Sequence, residues 1–114
     1  MRIERFEDIL SWQKAKELTL EVYKTFEKSN DFGFKSQIER ASVSIMNNIA
    51  EGFERKSNKE FKQFLFIAKG SCGEVRSMLH LAMDLNKIDK QKFDELYNLS
   101  LEISKLLSGL IKTL

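Results

Sequence analysis

The 114-residue chain has no proline and five glycines, is 42% hydrophobic and 32% charged, and carries a net charge of +2. Those figures argue against two cores, against a strand protein with its frequent Gly/Pro turns, and against naming a nucleic-acid binder from bulk charge alone. One cysteine cannot form an internal disulfide, no run approaches the ~18 apolar residues of a membrane span, and MRIERFEDIL is too charged for a signal peptide, so a cytoplasmic protein is expected.

Residues 1–6 read as an extended lead-in, with Phe6 packing across the start of the first helix. From Glu7 to Ser29, Trp12, Ala15, Thr19, Val22, Tyr23 and Phe26 form one helical stripe, leaving Lys14, Glu17, Glu21, Lys24 and Lys28 outside it. SNDFGF at 29–34 is a break in which Asn30 or Asp31 can cap the next helix.

The second helix, centred on QIERASVSIMNNIAEGFER at 37–55, carries two messages. Phe34, Ile38, Ala41, Ile45 and Ile49 share one narrow arc facing the core. Gln37, Arg40, Ser44, Asn48, Glu51 and Arg55, spaced 3, 4, 4, 3 and 4, share a second arc about a third of a turn away. Val43, Met46, Ala50 and Phe53 extend the apolar side the other way. Such a helix needs neighbours on more than one side, because packing on a single core requires only one apolar stripe.

Ser57-Asn58-Lys59-Glu60 is a capping box, so the third helix is expected from Asn58 to Leu85 or Asn86. Its core stripe is Phe61, Phe64, Leu65, Ala68, Cys72, Val75, Leu79 and Ala82. A nearly opposite strip holds Ile67, Met78, Leu81 and Leu85, interrupted by Gly70 and Glu74. Close approach of a neighbouring backbone would explain Gly70 and Ser71; a kink is the simpler alternative. Asp89 caps a fourth helix buried along Phe93, Leu96, Tyr97, Ser100, Ile103, Leu107, Leu110 and Ile111. Four amphipathic helices joined by short breaks describe one all-α domain spanning 1–114, an antiparallel up-down-up-down four-helix bundle.

Little in the chain points to catalysis. His80 and Cys72 lie two turns apart without further ligands, so no metal or other cofactor is expected. Glycine-rich phosphate loops, nucleophile elbows and the Glu-x-x-His pairs of di-iron bundles are missing. Glu51 or Glu74 as a tuned catalytic carboxylate is outweighed by the commoner role of such groups in ion-pair networks. One such network would be a bidentate Arg40–Glu74 pair between helices two and three, a device for register or assembly. The plain alternative leaves Arg40 and Glu51 facing solvent.

The charge excess has an address. Residues 58–88 hold five basic and three acidic side chains, whereas 1–57 and 89–114 are each balanced. Lys62, Lys69, Arg76, His80 and Lys87 fall nearly on one line of helix three, with Arg55, Lys56 and Lys59 at its N-terminal end. Repeated around an oligomer, that line becomes a basic surface able to displace counterions from phosphate. Phe66 at its edge supplies slight aromatic interleaving, too little to indicate base stacking.

WQKA at 12–15, QIERASVSIMNNIAEGFER at 37–55, the S-x-x-EF box at 57–61 and FLFIAKGSCGEV at 64–75 resemble the four-helix-bundle proteins encoded in intervening sequences of bacterial 23S ribosomal RNA genes, also called S23-type proteins. That family includes the accessory variability determinant of diversity-generating retroelements, a pentameric bundle that binds RNA and a reverse transcriptase. The resemblance implies a ring-like homo-oligomer, a pentamer, with a basic surface. It places Arg40, Ser44, Asn48, Glu51, Gly52, Arg55, Gly70, Ser71 and Glu74 on signature positions. The combined expectation is a non-enzymatic oligomeric bundle binding structured RNA or DNA through Arg55, Lys56, Lys62, Lys69, Arg76 and Lys87, with Arg40, Ser44, Asn48, Glu51 and Glu74 as a structural polar network. A structural or protein-interaction module, with a partner protein encoded nearby, is the alternative.

Overall fold

The computed structural model describes residues 3–114, so the part of the expected lead-in at residues 1–2 lies outside the described residues. A 3-10 turn, Phe6–Asp8, precedes four α-helices: α1 Leu10–Thr25, α2 Phe32–Phe53, α3 Asn58–Asp84 and α4 Lys90–Lys112. The first helix starts three residues later than expected because Ile9 is extended between the turn and the helix. Phe6 meets Trp12 edge-on, with centroids 5.2 Å apart, as the lead-in reading required. Successive helices pack side by side and α4 closes against α1. The result is the expected four-helix bundle, 43 Å long, close to the ~40 Å that 27 residues of α3 span at 1.5 Å each. No helix among the described residues is long and apolar enough to cross a membrane.

Local signals set the helix ends. Asp31 Oδ1 accepts from the Phe34 N–H at 3.2 Å, Ser57 Oγ from the Glu60 N–H at 3.2 Å, and Asp89 Oδ1 from the Lys92 N–H at 2.8 Å. Each cap satisfies a donor that a helix start leaves free. The capping box differs in one detail: Glu60 Oε2 accepts from the Ser57 hydroxyl at 3.2 Å. α3 ends in a Schellman motif, with the Lys87 N–H on the Ala82 carbonyl and the Asn86 N–H on the Met83 carbonyl. Asn86 takes the left-handed conformation there, at φ 59°, which its short polar side chain tolerates.

All five core-facing residues expected on α2 are buried, and Phe64 is the one member of the α3 core stripe left half-buried. Hydroxyls buried between the helices fix their register. Thr19 Oγ1 donates to the Ser42 carbonyl between α1 and α2. Ser71 Oγ donates to Ser44 Oγ at 3.0 Å between α2 and α3. Ser100 Oγ donates to the Cys72 carbonyl at 3.2 Å between α3 and α4. A hydroxyl stranded by a slip of one turn would lose its partner inside the bundle, so these bonds select one alignment.

Candidate nucleic-acid interface

Around its axis α3 shows three chemistries: a core stripe, an edge toward α4 and an edge toward α2. Arg76 and His80 define the α4 edge. Arg76 Nη1 donates to Ser100 Oγ at 3.1 Å and to the Ser100 carbonyl at 3.5 Å, while the His80 ring packs 5.0 Å from Phe93 and 5.4 Å from Tyr97. Lys69 and Lys62, one and two heptads before Arg76, share that edge. Each is half-buried, and neither has an ion-pair partner among the described residues. The antiparallel register pinned by Ser100 brings Lys112 of α4 level with Lys62 and Lys105 level with Lys69. Those two lysines are exposed and likewise without an ion pair among the described residues. Lys105 also lines one surface pocket with Asp8, Ile9, Leu10 and Ser11 on the α1 side and another with Asn98, Leu101 and Glu102 of its own helix. The α4 lysines obey the same seven-residue spacing in the sequence, but their level with the α3 lysines emerges only from the register.

Other members of the expected basic line are held within the chain. Lys87 Nζ is 3.0 Å from Asp31 and 5.4 Å from the centre of the Phe34 ring, joining the α3–α4 turn to the α1–α2 turn. Its hydrogen bond to Asp31, helped by the Phe34 N–H, holds that carboxyl below the ordinary aspartate range. Arg55 reaches Glu51 at 3.6 Å and Glu60 at 3.5 Å, with its guanidinium 5.2 Å over Phe64. Lys56 is exposed in the α2–α3 turn.

The α2 edge of α3 carries the polar network, in a smaller form than expected. Asn48 Nδ2 donates to the Ser44 carbonyl at 2.7 Å and to Ser44 Oγ at 2.9 Å, and Ser71 completes the cluster. Arg40 and Glu74 are both exposed, and no ion pair joins them within the protomer. They lie on the outer rims of α2 and α3, beyond the seam where Ser44 meets Ser71. Alongside them on α3, Ile67, Leu81 and Leu85 are 52%, 48% and 53% exposed. Gly52, not Gly70, marks the close approach: a Cβ there would sit 2.6 Å from Phe64 Cβ, whereas one on Gly70 meets nothing within 4 Å. Nor does α3 break or change type at Gly70.

The model of the 23S rRNA-intervening sequence proteins matches residues 7–109, nearly all of this bundle. The chain belongs to that family. A similar solved structure is a protein with unknown function from the S23 ribosomal protein family of Bacteroides thetaiotaomicron, with a TM-score of 0.85 and 29% identity over 90% of this chain and 99% of that one. A comparison with curated proteins found no match.

In this member of the 23S rRNA-intervening sequence family, Cys72 is buried in the core stripe. Burial pushes its thiol up to about 11, against the opposing pull of Arg76 and Lys69. A buried neutral thiol is a packing residue rather than a nucleophile. Because the folded value lies above the 9.0 of an open thiol, its contribution to stability is complete below pH 9.0 and is lost as pH rises toward about 11. Thermal melts from pH 8 to 10.5 should therefore fall more steeply for the wild type than for Cys72→Ala, and iodoacetamide at pH 8 should label the thiol only on unfolding. Glu51 and Glu74, the carboxylates a catalytic reading would need shielded, are exposed.

Proposed function

We propose that the protein is a non-enzymatic scaffold with two working edges. Copies assemble through the apolar outer edge of α2 and α3 into a ring-like homo-oligomer, a pentamer, and the groove between α3 and α4 holds the phosphates of RNA or DNA. The observation that carries the reading is a set of four lysines without an ion pair among the described residues, Lys62 and Lys69 on α3 at the level of Lys112 and Lys105 on α4. Ammonium groups gathered on one face without ion pairs repel one another, and a polyanion removes that cost while releasing its own counterions.

The two edges lie roughly 150° apart around α3, so assembly through one leaves the other open. Ile67, Leu81 and Leu85 supply the apolar area, and Arg40 and Glu74 are left free to pair between copies. A ring would then repeat the groove around its rim, multiplying a modest charge.

Fluorescence anisotropy on a structured RNA and a DNA duplex, from 50 to 200 mM salt, tests the groove. With about four phosphate contacts, affinity should drop roughly 100-fold across that range. Lys62→Glu with Lys69→Glu should abolish binding, whereas Lys87→Ala should change it by less than about threefold. Light scattering on the same samples reads the assembly. Oligomers that ignore nucleic acid at 50 mM salt would leave the structural or protein-interaction module, and a strict monomer would remove the ring.

A further inference from the structure

Eight large hydrophobic side chains stand about half exposed or more, and one of them, Phe66, lies on α3 between Lys62 and Lys69. Its ring is 54% exposed. Lys62 precedes it by four residues and Lys69 follows by three, so both flank it on the same helix face. The register that sets Lys112 level with Lys62 and Lys105 level with Lys69 puts Phe66 level with Ser108, between the two α4 lysines. Its neighbours one turn away, Lys62, Gln63, Lys69 and Gly70, include no acid.

Three aromatic rings carry a cation, with Lys16 over Trp12, Arg55 over Phe64 and Lys87 over Phe34, while Phe32 and Tyr23 are exposed without one among the described residues, away from the α3 lysines. Among the described residues no ring or cation lies over Phe66. An apolar ring left open to water between two unpaired ammonium groups, with two more at its level on α4, calls for a flat, apolar-faced partner that brings its own negative charge. A second copy of the chain meets only half of that demand, since two such faces set together would place lysines against lysines.

We infer that Phe66 is a stacking platform for an unpaired base of a single-stranded nucleic acid, whose flanking phosphates lie on Lys62, Lys69, Lys105 and Lys112. The inference rests on the nucleic-acid reading of the groove and narrows it: phosphate contacts accept any polyanion, whereas an open aromatic face is useful only to a base that is not already stacked in a duplex. Gly70 and Gly73, on the same side of α3, add no side chain that would block a base lying against the ring.

The experiment compares the wild type with Phe66→Ala and Phe66→Trp in the full chain, using 12-nucleotide RNA and DNA single strands and the corresponding duplexes at 50 mM salt. Phe66→Ala should weaken single-strand binding about tenfold or more, move duplex binding by less than about twofold, and leave the salt dependence unchanged. Phe66→Trp should retain single-strand affinity, and its added emission over the Trp12 background should be quenched by the oligonucleotides. Equal behaviour of RNA and DNA strands supports stacking alone as the selector. Loss of equal size on strands and duplexes, no loss on either, or a changed solution mass of Phe66→Ala would each overturn the inference while sparing the groove. A wild type that binds no nucleic acid at all would instead remove the groove reading, and Phe66 with it.

Discussion

Gly52→Ala should lower the melting temperature by several degrees, whereas Gly70→Ala should raise it. Both exchanges add one methyl to a helix, Gly70 in the interior of α3 and Gly52 in the last turn of α2, and each gains at most about 1 kcal/mol of helix propensity. They differ in what the methyl meets. At Gly52 it arrives 2.6 Å from Phe64 Cβ, 3.0 Å from Phe61 Cδ1 and 3.3 Å from the Phe61 carbonyl oxygen. Phe64 Cβ and the Phe61 carbonyl are fixed to the α3 backbone and cannot rotate away, so α2 and α3 must separate. Overpacking of this kind costs about 1–3 kcal/mol, and each kcal/mol moves the midpoint of a small domain by about 4–8 °C. Separation would also stretch the Ser71–Ser44 bond of 3.0 Å. At Gly70 nothing lies within 4 Å, so only the propensity gain remains. Circular-dichroism melts of the two variants decide the matter. A Gly52→Ala midpoint within about 2 °C of the wild type would mean that the α2–α3 seam is loose.

What could be read from the residues was governed by how local the physics is. The α2 stripe, the caps at Asp31, Ser57 and Asp89, and the buried thiol all follow from spacing or from neighbours within one helical turn, and all were legible. The cations were legible only as positions on an arc. Lys87 belongs by spacing to the line of Lys62 and Lys69, yet it folds back onto Asp31, because two turns far apart in the chain share one end of the bundle. Arg76 lies on the same line and turns into Ser100. The Arg40–Glu74 pair failed within the protomer for a related reason. Antiparallel α2 and α3 bring Ser44 and Ser71 together, and residues farther out on each rim point away from that seam. Lys105 and Lys112 could not be set beside that line from the residues alone, because a line on one helix gives no hint of which residues of another stand at its level. Phe66 was visible as an edge residue, but its exposure depends on how far α4 wraps around α3, which no single-helix pattern contains.

Leu18→Ala should be the most damaging truncation in α1, costing about 2–5 kcal/mol, while Tyr23→Ala should cost less than about 1 kcal/mol. The stripe expected from spacing ran through Trp12, Ala15, Thr19, Val22, Tyr23 and Phe26. The buried face is rotated by roughly 40° from it, taking in Ser11 and Leu18 and leaving Tyr23 46% exposed. The physical reason is that α1 packs against two helices. Thr19 bonds to the Ser42 carbonyl on the α2 side, while Lys14 reaches Glu102 of α4 at 3.9 Å on the other. The core-facing direction lies between those contacts and passes through Leu18, which is 0% exposed. Two aromatic residues on the outer flank pulled the periodicity toward α2. Removing the Leu18 side chain opens a cavity in a seam whose hydroxyl anchors resist collapse, so the cost should fall in the upper part of that range. At 4–8 °C per kcal/mol the melting midpoint should fall by about 10 °C or more, against a few degrees at most for Tyr23→Ala. If Tyr23→Ala proved the costlier of the two, α1 would have to sit rotated toward α2, and the closure of α4 against α1 would be wrong.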